Sequence, residues 1–146
     1  MATIGSVING VQLKFGVGVD PELDASLLAA LEQIIAPDLS AGGAALELYI
    51  SSISETTSAH SRTSRHYPPA RKALDISRIN GKRMSVFYPA DALVQEVTKN
   101  LQERFEQQTP ARRENFGPHL QKKLGAVFAP PSIVQAHRSH IHFSVN

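Results

Sequence analysis

The chain has 146 residues, 42% hydrophobic and 19% charged, which fits one domain with a real core and excludes wholesale disorder. It has no Cys, which excludes a disulfide framework, a thiolate zinc site and a cysteine nucleophile, and leaves His and carboxylate as ligands for a first-row metal. The formal net charge is only +2, and no apolar run approaches the ~20 residues of a membrane-spanning helix.

Residues 3–17 alternate apolar and polar in two pieces broken by Asn9-Gly10, a hairpin signal. Asp20-Pro21 reads as an N-cap followed by Pro at the first helical position. Leu23, Leu27, Leu28, Leu31, Ile34 and Ile35 then repeat with helical period and stop before Pro37. A loop at 40–44 leads to 45–53, which alternates as a half-buried strand. Residues 54–71 are polar and rich in Ser, Thr, Arg and Pro, a loop long enough to call for a functional reason. A strand over 72–79 follows, and Asn80-Gly81 folds it back onto a second strand over 82–87. Pro89 opens a helix whose apolar stripe is Leu93, Val94, Val97, Leu101 and Phe105, ending before Pro110. Over 110–131 the pattern is irregular, with a short helix at 119–124 as the one candidate element. The last strand runs from 137 or 139 to 145. Two longer helices among hairpin-connected strands predict a single α+β domain over 1–146, with a small antiparallel sheet and flanking helices.

Three of the six histidines fall in the last ten residues: His137, His140 and His142. On a strand, His140 and His142 leave the same face, and neutral imidazole is the commonest protein ligand for zinc. Asp75 stands between Leu74 and Ile76, so it points away from the core that they help build. If the 72–79 strand lies beside the C-terminal strand, His66, Asp75 and His142 converge. Two imidazoles and one carboxylate with an open fourth position make a catalytic zinc site.

The cations gather in one stretch: Arg62, Arg65, Arg71, Lys72, Arg78, Lys82 and Arg83 make residues 60–83 basic, whereas the first 55 residues are acidic. A basic stretch attracts nucleic acid, an acidic polymer or a carboxylate-bearing substrate. Tyr67, Phe87 and Tyr88 are the only aromatics near it, which argues against stacking on single strands, and no nucleic-acid partner is expected. Arg62 and Arg65 are candidates for binding a substrate carboxylate. Ser64 is a candidate for bonding the loop backbone or a ligand carboxylate, and Tyr67 for bonding a tetrahedral intermediate. His60, His119 and His137 read as surface residues, with His137 close enough in sequence to line a cleft.

The pattern Ser64-x-His66, then Ala73-x-Asp75-Ile76, then a terminal His140-x-His142 resembles the LAS superfamily. That superfamily comprises the lysostaphin-type endopeptidases, the D-Ala-D-Ala metallopeptidases and the hedgehog signalling domain. The likeness is greatest to the D-Ala-D-Ala metallopeptidase branch, including phage endolysins, and covers roughly residues 45–88 and 130–146. It implies a hedgehog/D-Ala-D-Ala-peptidase-like fold, Zn2+ held by His66, Asp75 and His142, and hydrolysis of peptidoglycan stem peptides or cross-links. Two positions depart from the family pattern. Eight residues, none of them Gly, separate His66 from Asp75, whereas the family spaces this pair more closely with a Gly between. The position three residues before the last ligand, commonly an acidic general base, is Ser139. Lysostaphin-like members use the first His of His-x-His instead, which makes His140 the candidate catalytic residue. The rival expectation is a module that keeps the fold and zinc and binds peptidoglycan with little or no activity. The first residues lack the basic and apolar regions of a signal peptide. The expectation is therefore synthesis in the cytoplasm and action at the cell wall after release, like a phage or prophage product; a monomer and no membrane partner are separate expectations.

Overall fold

The computed structural model describes residues 1–53 and 70–146. Strand β1 (Ala2–Thr3) is followed by β2 (Val7–Ile8) and β3 (Val11–Phe15), which form the expected hairpin. Asn9 and Gly10 have φ of 49° and 83°, the left-handed pair that a two-residue turn requires and that Asn-Gly tolerates. The next element departs from expectation. Asp20 spends its carboxylate on the Glu22 N–H, and the chain enters a short strand, β4 (Glu22–Leu23), which pairs with β1 and buries Leu23 completely. Helix α1 (Ala25–Ile34) starts one step later, capped by Asp24, which accepts from the Ser26 N–H. It buries Leu27, Leu31 and Ile34 of the expected stripe together with Ala30, while Leu28 is half-buried and Leu23 and Ile35 are buried just outside the helix.

Strand β5 (Glu47–Ser52) pairs parallel with β3, with α1 as the crossover, so the sheet is not purely antiparallel as expected. Strand β6 (Ala73–Ile79) returns antiparallel to β5. Asn80 and Gly81, again at positive φ, turn it into β7 (Lys82–Arg83). The expected strand over 82–87 stops there: the chain winds into the single turn α2 (Met84–Phe87), which buries Met84. Helix α3 (Ala92–Gln108) is capped by Asp91, whose carboxylate accepts from the Val94 N–H, and buries Val94, Val97, Leu101 and Phe105.

The short helix expected at 119–124 does not form: β8 (Arg112–Phe116), β9 (Gln121–Lys123) and β10 (Ala126–Val127) make a meander there instead. Two features hide it from the sequence. In β8 the polar Asn115 faces the interior and is buried, so alternation of apolar and polar residues is lost. The β9–β10 turn places Leu124 at φ 52° beside Gly125 at 81°, and Leu is a poor signal for a left-handed position. A last helix, α4 (Pro131–Ala136), with Pro at its start, precedes β11 (Ile141–Val145).

Among the described residues the main sheet has nine strands in the order β10-β9-β8-β11-β6-β5-β3-β2, with β7 beside β6. The architecture is a mixed α+β fold with a largely antiparallel sheet, larger than expected. No helix among the described residues is long and apolar enough to cross a membrane. The C-terminal strand β11 is central, between β6 and β8, and its Phe143 stacks on Phe105 of α3 with ring centroids 4.2 Å apart. Both rings are fully buried, so Phe143→Ala is expected to lower the unfolding free energy by about 3–5 kcal/mol. Urea titration checks this, and a loss under about 1 kcal/mol would contradict a core built on that pair.

Candidate functional site

The odd positions of β11, Ile141, Phe143 and Val145, enter the core, and the even positions, His142 and Ser144, leave the other face. Asp75 of β6 and Phe116 of β8 stand directly opposite His142, and Glu114 stands opposite Ser144. Leu74 and Ile76 are fully buried on the far side, so Asp75 shares the face of His142. This side-by-side pairing of the two strands is the arrangement the sequence argument requires for Asp75 and His142 to meet.

They do meet. His142 Nδ1 lies 3.0 Å from Asp75 Oδ1, and its Nε2 lies 3.1 Å from Glu114 Oε1. The imidazole stacks on Phe116 with centroids 5.8 Å apart, and the side chain is only 12% exposed. Burial by itself would lower the pKa of His142, but the hydrogen bonds to Asp75 and then Glu114, with their charges, raise it to about 9. Without a metal the ring is therefore an imidazolium at neutral pH, and both N–H groups donate. Glu114 responds in kind: the His142 hydrogen bond, opposed by burial, holds its carboxyl down at about 2.

His140 precedes β11, and its Nε2 is 3.9 Å from Asp75 Oδ2, an ion-pair distance beyond hydrogen-bond reach. Ser139 Oγ is 3.1 Å from His140 Nδ1, so the residue at the family's acidic position contacts the candidate base. His137 closes α4. Its Nδ1 lies 2.7 Å from the Ile133 carbonyl oxygen, to which it donates, leaving Nε2 as the lone-pair nitrogen. Its ring packs against His140, His142 and Phe116, with centroids 4.9, 5.7 and 5.1 Å away. Burial lowers the pKa of His137, outweighing the hydrogen bond to Ile133, so this imidazole is neutral.

Of the residues singled out by sequence, Asp75, His140 and His142 come together. His60, Arg62, Ser64, Arg65, His66 and Tyr67 lie outside the described residues. Sequence reasoning missed Glu114, hidden in the unassigned 110–131 stretch, and understated His137, which is half-buried in the cluster and not a surface residue. His119 is likewise half-buried and pairs with Glu103 at 3.1 Å.

Asp75 and His142 offer one oxygen and one nitrogen donor of the kind zinc takes. Their 3.0 Å separation is near the roughly 3.3 Å edge of a tetrahedron with bonds of about 2.0–2.1 Å. The pair thus fits two corners of a zinc site. Among the described residues no group of three or more ligating side chains is arranged to hold a metal. Comparison of the chain with protein-family models, curated proteins and solved structures finds no match.

The proton balance of this face sets a pH dependence for the metal-free protein. His142 binds its proton more tightly when folded, at about 9 against an ordinary 6.5, so its contribution is full below about 6.5 and is lost as pH rises through 9. Glu114, at about 2 against an ordinary 4.5, contributes above about 4.5 and loses that contribution as pH falls through 2. In the presence of a chelator, the urea midpoint is expected to fall between pH 6.5 and 9.5. His142→Ala should flatten that decline. An equally steep decline in the variant would contradict the imidazolium assignment.

Proposed function

We propose that the protein is a zinc metallopeptidase of hedgehog/D-Ala-D-Ala-peptidase-like fold that hydrolyses peptide bonds in peptidoglycan stem peptides or cross-links. The observation that carries this reading is the 3.0 Å approach of His142 Nδ1 to Asp75 Oδ1. These residues are 67 positions apart in sequence, and the motif resemblance names them together as ligands. Asp75 and His142 supply two donors, and His66 is the third. A zinc ion held there supplies an electrophile for the scissile carbonyl and brings the pKa of a water toward neutrality.

The chain's own groups do the rest. Strands β6 and β11 hold the two donors rigidly, since each lies inside the sheet with neighbours on both sides. His140, within 3.9 Å of Asp75 Oδ2, takes a proton from the attacking water at its Nε2 and returns it to the leaving amine. Arg62 and Arg65 bind a carboxylate of the substrate, as bidentate cations do, with Ser64 and Tyr67 as further hydrogen-bonding groups. Action on the cell wall after release follows the same reading.

A second reading, a zinc-retaining module that binds peptidoglycan with little turnover, is favoured by one observation. Ser139 occupies the position of the usual acidic base, and its hydroxyl contacts His140. Two measurements separate the possibilities. Purified protein is expected to carry one zinc per chain, with His142→Ala and Asp75→Ala both losing it; unchanged metal content in both variants would remove the zinc assignment. Zinc-loaded protein is expected to release peptides from purified sacculi, with His140→Ala lowering kcat by about 10²–10⁴-fold. Sacculi bound but left intact would establish the binding module instead.

A further inference from the structure

Strands β8 and β11 pair in register at three successive positions, with Phe116, Asn115 and Glu114 against His142, Phe143 and Ser144. The register then slips so that Val145 faces Arg112, and Arg113 is left over as a bulge. At the slip the Glu114 N–H donates to Ser144 Oγ at 3.1 Å, and the Ser144 hydroxyl donates to Glu114 Oε1, also at 3.1 Å. The Glu114 carboxylate is thus held from the two neighbouring strands, by the Ser144 hydroxyl of β11 on one oxygen and by Lys123 of β9, whose Nζ is 3.9 Å from the other. Behind it, the buried Asn115 amide donates to the Gln102 carbonyl and to Glu106 Oε2, at 2.8 and 3.0 Å. These bonds tie β8 to α3.

We propose that Glu114 is a positioning residue: by holding the Nε2–H of His142 it fixes the tautomer that presents Nδ1, on the Asp75 side, to the metal. The proposal rests on the zinc reading above and assigns the nitrogen through which His142 acts. A neutral imidazole has one proton and two nitrogens, and the nitrogen left to a metal is decided by the acceptor that takes the other N–H. The two nitrogens of one ring point apart, so Asp75 and Glu114 bracket His142 from opposite sides. The second imidazole, His140, is on the Asp75 side. Ser144 and Lys123 are on the Glu114 side.

Glu114 is not itself a ligand in this arrangement. Its Oε1 already accepts from two donors, the Ser144 hydroxyl and His142 Nε2–H. Nor does it replace the missing base at Ser139, since the imidazole stands between it and Asp75. Its part is to lock the ring plane and raise the basicity of the nitrogen opposite, the role that carboxylates behind metal-bound histidines play. Phe116, stacked on the same ring, fixes the plane from a third direction.

The test compares wild type, Glu114→Ala, Glu114→Gln and Asp75→Ala, each checked for folding by circular dichroism. Zinc affinity is read by competition with a chromophoric chelator. Glu114→Ala is expected to weaken zinc binding by about 10–100-fold, the usual cost of losing an outer partner. Glu114→Gln keeps an acceptor oxygen without the charge and is expected to lose about tenfold; it carries the test if the alanine variant does not fold. Nitrogen-15 correlation spectra of the imidazole rings supply the readout that a merely structural role would not move. In zinc-loaded wild type His142 should carry its proton on Nε2 and the metal on Nδ1, and that preference should be lost in Glu114→Ala. Zinc binding lost in Asp75→Ala but unchanged in both Glu114 variants would overturn this proposal alone, as would metal found on Nε2. Absence of zinc binding in wild type would overturn both this proposal and the zinc reading.

Discussion

The C-terminal strand β11 is held on both edges, by β6 and by β8, and everything at the candidate site depends on that double pairing. A strand with a partner on each side has no freedom to slide, because a one-residue slip would exchange its two faces. Here such a slip would drive His142 into the core and bring Phe143 out. The cost is set by Phe143, fully buried and stacked on Phe105, and by Ile141 and Val145 beside it. Packing on one side of β11 therefore determines the chemistry on the other.

The face that results places an imidazole between two carboxylates in a poorly hydrated setting. An isolated buried charge would be severely penalised, and the arrangement avoids this by matching donors to acceptors on both ring nitrogens. The same match makes the site selective about protons. His142 holds its proton well above the usual histidine range while His137, tied to a backbone carbonyl and desolvated, is held below it. Three neighbouring imidazoles thus face different electrostatic surroundings, because each has a different partner for its first nitrogen.

A buried amide cluster supports this face from behind. Gln102 of α3 donates to Asn115 Oδ1 and to the Leu120 carbonyl, while its own oxygen accepts the N–H groups of His119 and Leu120. Every group is partnered, so the cluster fixes β8 and the turn after it without leaving a desolvated donor. Gly117 belongs to the same fit, since a Cβ there would lie 2.6 Å from Gln102 Oε1. This is how a strand in which only Phe116 is apolar, with Glu114 on one face and the buried Asn115 on the other, remains a strand.

Much of the frame was legible along the chain. Asn-Gly turns at 9–10 and 80–81, the stripes of α1 and α3, and the alternation of β5, β6 and β11 are local signals, set by backbone sterics and by the period with which side chains reach one side. Alternation also puts Asp75 and His142 on polar faces, and the motif resemblance pairs them as ligands. Glu114 was not legible. Its strand inverts the usual pattern, burying Asn115 and turning Phe116 toward the histidines, and only the Gln102–Glu106 side of α3 makes that burial tolerable. The short strand at Glu22–Leu23 and the turn at Met84–Phe87 escaped for the same reason: pairing with β1 and burial of Met84 are long-range gains that outweigh weak local propensity. The sequence by itself determined which side chains leave each strand together, because that follows from the two-residue period. Only the tertiary structure decided which strands are neighbours, and so that His142 has Asp75 at one nitrogen and Glu114 at the other, because register is chosen by the packing of the whole sheet.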